Sequence, residues 1–269
     1  NDYFFFFKHL IYIFLGIGLI LFFSSINQKN LFDLSIFLFF VCFILLILVP
    51  FIGSEVKGSK RWLDLFFLPR FQPIELLKPF IIIIIATVLS SEKKIHIYVK
   101  HLISLIVILP IVFLLITQPD IGQTLLILVC WSIIIFISGI SLLVFFTFFG
   151  TSFFLLIYMI MFIPKFEYIQ NRIVSFFNPN EGTHNFQSDK AIDSIVSGGF
   201  FGKGIGEGTL KNRVPEAHTD YIVSVISEEF GVVVIILLLI FFLSFMYMVF
   251  KKINYEQDEK TKLALAGCI

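Results

Sequence analysis

Apolar residues in this chain are gathered into long, nearly unbroken stretches, without the alternation that marks half-buried strands. Seven stretches approach the roughly 20 residues that a helix needs to cross a bilayer. They lie at 4–23, 34–52, 74–90, 102–117, 121–137, 141–163 and 222–250. Because backbone polar groups in lipid must bond within their own segment, stretches of this kind are expected to be helices. The pattern therefore predicts an all-α, polytopic integral membrane protein with about seven transmembrane helices.

The connections between these stretches differ in length. Most are short, whereas residues 164–221 form a polar segment rich in Gly, Asn and charge. Loops that long inside a compact protein usually carry function. We therefore interpret residues 1–269 as a single polytopic membrane domain with one long extracytoplasmic loop, and we expect the chain to be a fragment of a longer protein.

Basic residues predict the orientation of the chain in the membrane. Compact lysine clusters at 93–100 and 251–262 are typical of cytoplasmic anchors. The polar segments 53–73 and 164–221 are then expected on the outer side. This topology places residue 1 outside and residue 269 inside.

Composition excludes several classes of function. Apolar residues make up 58% of the chain and charged residues only 14%, with a mean hydropathy of +0.97. A soluble domain needs more charge to cover its surface, and a net charge of +1 gives no field that would attract a polyanion. A soluble enzyme, a disordered regulator and a nucleic-acid-binding protein are therefore excluded. The scattered Cys42, Cys130 and Cys268 form neither a disulfide framework nor a metal-ligand pattern.

Four short polar segments interrupt the apolar background, and we call them polar islands. The first runs from residue 58 to residue 79, and it holds Lys78 about a turn and a half inside an apolar segment. A charge at membrane depth costs about 2.5–3.5 kcal/mol on insertion scales, so an ammonium kept there indicates a function. The other interpretation is that Lys78 snorkels to the interface or pairs with Glu75 on the same helix face. Both interpretations stay open on the residue alone.

Two further islands have structural interpretations. Residues 118–122, with the sequence Gln-Pro-Asp-Ile-Gly, are typical of a tight turn between two helices with Asp120 as the N-cap. The glycine-rich run 198–208 can supply backbone N–H groups for an anion nest. It is not a Walker motif, because no Gly-Lys-Ser/Thr follows at the required spacing. Taken alone, this run is a weak indication of phosphate binding.

The fourth island leads directly into the last apolar stretch. Asp220 stands at the mouth of that stretch, with Ser224, Ser227 and Glu228 on or beside the same helix face. A small, polar face of this kind favours a helix that lines a cavity over one that faces lipid. The alternative is that Asp220 only caps the helix.

Taken together, the four islands resemble the SEDS family of polytopic proteins of bacterial cell-wall synthesis. Their order and spacing both match the family's motifs, so the resemblance is more specific than any one motif. The matching stretches are Gly58-Ser59-Lys60-Arg61-Trp62, Gln72-Pro73-Ile74-Glu75-Leu76-Leu77-Lys78, Gln118-Pro119-Asp120-Ile121-Gly122, Gly198-Gly199, Gly202-Lys203-Gly204 and Pro215-Glu216-Ala217-His218-Thr219-Asp220. The run 227–231 is similar to the family's division branch rather than its elongation branch. By this resemblance the fragment lacks the family's first and last transmembrane helices.

The resemblance implies an activity, the inverting polymerisation of lipid II, an undecaprenyl-pyrophosphate-linked glycan precursor, into glycan strands. It implies that Asp220 is the general base and that Arg70 and Lys78 bind the substrate. Arg61 and Trp62 match a further pair expected to hold the sugar or its phosphate. On chemistry alone, the remaining substrate-binding candidates are Lys203, Lys211, Arg213 and Glu228.

Partners and location are implied in the same way. The expected partners are lipid II, a class B penicillin-binding transpeptidase and other division proteins, and the expected location is the septal region of the bacterial inner membrane. The need for a divalent cation stays open, and no other cofactor is implied. Two other functions also stay open, namely a flippase that moves lipid II across the membrane and a non-catalytic division scaffold.

Overall fold

A computed structural model describes residues 2–56, 59–65, 70–91, 95–163, 170, 174, 186–209 and 221–269. The chain divides into two compact units, which are described separately. The first unit comprises Asn1–Ile140 and Ile253–Ile269, and the second comprises Ser141–Lys252.

Helices dominate both units. The first unit contains α1 (Asp2–Ser25), α2 (Gln28–Ile52), β1 (Ser54–Val56), β2 (Ser59–Trp62), α3 (Pro73–Leu89), α4 (Ile97–Thr117), α5 (Ile121–Ile137) and, near its end, α10 (Glu259–Cys268). The second unit contains α6 (Leu142–Phe162), α7 (Phe186–Gly198), α8 (Ile222–Phe230) and most of α9 (Val232–Tyr255).

The predicted fold class is confirmed. Each of the seven apolar stretches is mostly helical, and α2, α4, α6 and α9 are long and apolar enough to cross a membrane. His9–Ser25 and α5 are shorter apolar helices. The chain is therefore an all-α, multi-pass membrane protein, to which the structure adds one short β-hairpin that hydropathy did not predict.

The last apolar stretch was expected to be one helix, and this prediction is wrong. Gly231 separates α8 from α9 and adopts a φ of +82°, a conformation that favours glycine. A side chain there would also collide with the backbone carbonyl of Phe200. Hydropathy missed this break because residues on both sides of the glycine are apolar.

The core of the first unit lies between α2, α3, α4 and α5. Fully buried aliphatic side chains fill it, among them Leu46, Leu77, Ile108 and Ile134. Helix α10 packs against α3 and α5. The contact is closest at Gly267, where a β-carbon would lie 2.6 Å from side-chain atoms of Ile82 and Ile134. The absence of a side chain at Gly267 therefore allows α10 to approach these two helices.

The α1–α2 connection meets the start of α10. The Gln28 amide donates to the Asp258 carboxylate over 3.2 Å, and the Asp258 carboxylate caps α10 by accepting from the Thr261 backbone N–H over 3.0 Å. The hydrogen bond from the Thr261 hydroxyl is the main cause that lowers the pKa of Asp258. The α1–α2 connection and the start of α10 therefore meet at one end of the first unit.

Candidate functional site

A β-hairpin presents the first polar island at the other end of the first unit. Strands β1 and β2 pair antiparallel, with Ser54 opposite Trp62 and Val56 opposite Ser59. An additional bridge follows, in which the backbone of Leu63 and Phe71 exchanges hydrogen bonds of 2.9 and 3.2 Å. Leu63 is fully buried. The hairpin and this bridge fix the backbone on both sides of Arg61 and Trp62.

Arg61 joins the hairpin to the turn between α4 and α5. Its Nε donates to the Gln118 carbonyl over 3.1 Å, and its Nη2 donates to the Pro119 carbonyl. Its Nη1 lies 3.7 Å from the Asp120 carboxylate. The structure thus brings together two islands that are separated by more than fifty residues in sequence. Direct binding of substrate by Arg61 and Trp62 stays a prediction.

Asp120 occupies the N-cap position of α5, but its carboxylate makes no capping hydrogen bond. The expectation that this side chain caps the helix is therefore wrong. The physical reason is that the carboxylate, which is mostly buried, lies beside the Arg61 guanidinium. A buried carboxylate is better compensated by a cation than by a neutral backbone N–H.

Arg70 stands beside the same hairpin and is far more accessible. Its Nη2 lies 3.5 Å from the Asp64 carboxylate, and the two side chains are 51% and 57% exposed. An exposed ion pair of this kind contributes only about 0–1 kcal/mol. The guanidinium can therefore exchange Asp64 for an anionic ligand at little cost, which suits the predicted role of Arg70.

Lys78 lies on the second turn of α3, in an ion pair with Glu75. Its Nζ is 2.6 Å from the Glu75 carboxylate, and the Gln123 amide of α5 donates to the other oxygen of Glu75, also over 2.6 Å. The Lys78 side chain is 24% exposed. The ion pair considered from the sequence is therefore present, and the role of Lys78 in binding substrate stays a prediction.

A cavity of about 350 Å³ extends from Lys78 between α3 and α5. Its walls are mostly aliphatic, with Ile85 and Ile134 among the lining residues, and α10 contributes Gly267. A cavity with an ammonium beside apolar walls can hold an amphiphile with an anionic group at one end.

In the second unit, the glycine-rich run packs on α8 through its backbone. The N–H groups of Lys203 and Gly204 donate to the carbonyls of Glu228 and Glu229 over 2.9 and 3.0 Å. A β-carbon at Gly198 or Gly202 would overlap the backbone of α8. These glycines therefore allow close packing, and the amides of Lys203 and Gly204 serve the fold rather than an anion nest.

Glu228 is fully buried, and its carboxylate has several polar partners among the described residues. One oxygen accepts from the Ser194 hydroxyl over 3.2 Å, and the other lies 3.1 Å from the Lys203 ammonium and 2.9 Å from the Thr209 backbone N–H. The Glu228 carboxylate is therefore buried and held by protein groups in this structure, and its role in binding substrate stays a prediction. Lys203, one-third exposed, is held by the same carboxylate.

The face of α8 with Ser224 and Ser227 is also buried. The Ser194 hydroxyl of α7, which donates to Glu228, also lies 3.3 Å from the Ser224 carbonyl, and the Ser227 hydroxyl donates to the Ile195 carbonyl over 3.5 Å. The sequence predicted that this face lines a cavity. It packs instead against α7, which lies in the segment interpreted from sequence as one long loop.

Three candidates, Asp220, Lys211 and Arg213, lie outside the described residues, and their roles stay predictions. Within the part of the chain that the structure describes, no three or more His, Cys, Asp or Glu residues are grouped to hold a metal ion. Sequence reasoning also missed Gln123 and Ser194, the partners of Glu75 and Glu228. Neither residue stands in a recognisable motif.

Comparison with known proteins gives a consistent result. The FTSW_RODA_SPOVE family model, described as cell cycle protein, matches residues 1–269. A probable peptidoglycan glycosyltransferase FtsW of Caulobacter vibrioides is 30% identical over 218 residues, covering 78% of this chain and 53% of the relative. Its counterpart from Taylorella equigenitalis is 32% identical over 263 residues, covering 94% of this chain and 69% of the relative. The chain thus spans about half to two thirds of the length of these relatives.

Solved structures agree with the fold. A structure concerning the coordination of polymerization and crosslinking by a peptidoglycan synthase complex matches with a TM-score of 0.75 at 23% identity, covering 97% of this chain and 73% of that one. The rod shape determining protein RodA of Thermus thermophilus matches with a TM-score of 0.59 at 25% identity. The match covers 94% of this chain and 68% of that one. Because the family model extends over the whole sequence, this chain belongs to the FtsW/RodA/SpoVE family of cell cycle proteins.

Proposed function

We propose that the full-length protein is a peptidoglycan glycosyltransferase that polymerises lipid II during septal cell-wall synthesis. The observation that carries this proposal is the position of Lys78, an ammonium beside a largely apolar cavity of about 350 Å³. Lipid II has the matching chemistry, with a pyrophosphate between a polyprenyl chain and the sugars. The naming of curated relatives as probable peptidoglycan glycosyltransferases supports the same assignment.

The proposed reaction is an inverting glycosyl transfer. A sugar hydroxyl of the acceptor attacks the anomeric carbon of the donor, and the bond from that carbon to the lipid pyrophosphate breaks. Asp220 accepts the hydroxyl proton as general base. Lys78 and Arg70 stabilise the negative charge that develops on the departing pyrophosphate. Arg61 holds the hairpin against the α4–α5 turn, so that Trp62 and Arg70 keep their positions.

The proposal extends to partners and location. A related fold occurs in a structure concerned with a peptidoglycan synthase complex, which favours a class B penicillin-binding transpeptidase as partner. We place the protein in the bacterial inner membrane at the septum, as one polytopic domain with segment 164–221 outside.

Purified full-length protein in detergent tests the activity. We expect it to convert lipid II into glycan polymer without any second membrane compartment, which gel electrophoresis of labelled product would detect. A flippase needs two leaflets to act and would leave the lipid II unpolymerised in detergent. A scaffold would also be inactive in this assay.

Cysteine labelling tests the orientation. In a variant without Cys42, Cys130 and Cys268, a single cysteine at Asn185 should react with an impermeant thiol reagent on intact spheroplasts, and one at Asn254 should not. Asn254 lies in the last turn of α9 and is exposed. Lysed spheroplasts control for reactivity at both positions. If only the cysteine at position 254 reacts in intact spheroplasts, the topology is the reverse of the one proposed and the proposed site does not lie on the outer side.

A further inference from the structure

The Glu75 carboxylate joins the two helices that form walls of the cavity beside Lys78. One oxygen pairs with the Lys78 ammonium of α3 over 2.6 Å, and the other accepts from the Gln123 amide of α5, also over 2.6 Å. Both helices contribute to the lining of the cavity, α3 through Lys78 and α5 through Leu126. One side chain of α5 therefore holds the counter-ion of the ammonium, and the function proposed so far gives Gln123 no role.

The direction of the Gln123 amide follows from the chemistry of its partner. An ionised carboxylate only accepts hydrogen bonds, so the amide nitrogen must face Glu75. The amide oxygen of Gln123 then lies in a buried position where no donor among the described residues reaches it. Leaving a buried acceptor unpaired costs about as much free energy as the bond to Glu75 contributes. The contact therefore adds little net stability, which indicates that it serves another purpose.

The ion pair alone holds Glu75 and Lys78 only loosely. Their side chains are 47% and 24% exposed, and an ion pair three residues apart on an accessible helix contributes little to stability. The Lys78 ammonium can therefore exchange Glu75 for another anion. Such an exchange leaves behind a carboxylate without its cation, in a site that is only partly open to water.

Gln123 is the hydrogen-bond donor that stays with Glu75 after this exchange. A hydrogen bond to the carboxylate is stronger when the ammonium no longer neutralises part of the acceptor's charge. The bond from Gln123 to Glu75 therefore stabilises the protein with a bound anion more than the free protein. A contact that favours one of two states shifts the equilibrium between them by that difference.

We propose that Gln123 is a positioning residue that retains Glu75 when an anionic ligand takes over the Lys78 ammonium. The inference rests on the proposed function, in which Lys78 binds the lipid pyrophosphate. Glu75 is then an exchangeable counter-ion, which neutralises Lys78 in the free protein and is held by Gln123 when the anion is bound. Gln123 acts through Glu75 and contacts neither the ligand nor the reacting atoms.

Binding of farnesyl pyrophosphate, a short polyprenyl pyrophosphate, to purified full-length protein in detergent tests this inference without turnover. Gln123→Met nearly keeps the size of the side chain but removes the donor. We expect it to raise Kd about fivefold, which is part of the effect of a hydrogen bond to a charged group. In the Glu75→Gln background the same substitution should change Kd by less than about twofold, because no carboxylate is left to retain. Gln257→Met, which replaces an exposed glutamine of the same unit, is the matched control and should bind like the wild type.

Farnesol provides a readout for a merely structural role of Gln123. It has the same apolar chain without the anion, so its Kd should not respond to Gln123→Met. If this substitution loosened the packing of α3 on α5, the cavity would change shape and both ligands would bind more weakly. With lipid II as substrate, Gln123→Met should raise KM about fivefold and leave kcat nearly unchanged, since the exchange is complete before the transition state.

The outcomes separate this inference from the proposed function. An unchanged Kd for farnesyl pyrophosphate in Gln123→Met, or a loss of affinity that persists in the Glu75→Gln background, would overturn the positioning role. If the wild type does not bind farnesyl pyrophosphate, or Lys78→Ala binds it equally well, the assignment of Lys78 is wrong and the inference fails with it. If binding follows the expected pattern but no polymer forms from lipid II, the proposed function is wrong and the inference holds. Should Gln123→Met not accumulate, Gln123→Ser is held to the same criteria, because its shorter side chain cannot reach Glu75.

Discussion

Full-length Asp220→Asn protein is expected to insert and accumulate normally but to make no detectable glycan polymer from lipid II. Loss of a general base typically costs about 10²–10⁴-fold in rate. Asn has nearly the same size as Asp and serves equally well next to a helix N-terminus. Any structural role of Asp220 just before α8 is therefore preserved, and the substitution removes only its ability to take up a proton. Gel analysis of polymer formed by purified protein is the measurement.

The control for Asp220→Asn is Asp193→Asn, which removes an exposed carboxylate from α7 in the same unit. This variant should polymerise lipid II at the wild-type rate. Polymerisation by Asp220→Asn at a rate close to wild type would contradict the general-base role and leave Asp220 as a structural residue at the start of α8.

The sequence predicted the helices well because lipid imposes a strong, local constraint on hydropathy. The exceptions have local causes that hydropathy does not contain. Gly231 ends α8 by its positive φ and by its contact with the Phe200 backbone, although apolar residues lie on both sides. The pairing of β1 with β2 depends on backbone hydrogen bonds between short polar strands, which have no periodic apolar pattern to indicate them.

Site prediction had a different limit, because motifs identify residues without identifying their partners. Arg61 was identified from the sequence as a member of a polar island, but its contacts with the 118–120 turn depend on tertiary structure. Glu228 was expected to contact substrate because a charge in an apolar helix indicates function. Its burial against Ser194 and Thr209 becomes visible only when α7 and the glycine-rich run are in place.

The second large effect is expected at Lys78. Lys78→Ala should reduce the rate of polymerisation by about 10- to 100-fold. This is the effect expected when the substrate loses one charge-assisted hydrogen bond, which contributes about 1.5–3 kcal/mol. If the ammonium binds pyrophosphate, the anion must compete with Glu75, which now lies 2.6 Å from it. Glu75→Gln removes this competitor and should therefore lower activity much less than Lys78→Ala, or leave it unchanged. Initial rates over a range of lipid II concentrations distinguish these cases.

Lys60→Ala is the matched control for Lys78→Ala, because Lys60 is an exposed lysine on the hairpin and its removal lowers the net charge equally. This variant should keep nearly full activity, which would show that the position of the ammonium matters and not the charge alone. Equal and mild losses in Lys78→Ala and Glu75→Gln would lead to the opposite conclusion. In that case the pair would serve to join α3 to α5 through Gln123, and the pyrophosphate would have to be bound by other cations such as Arg70.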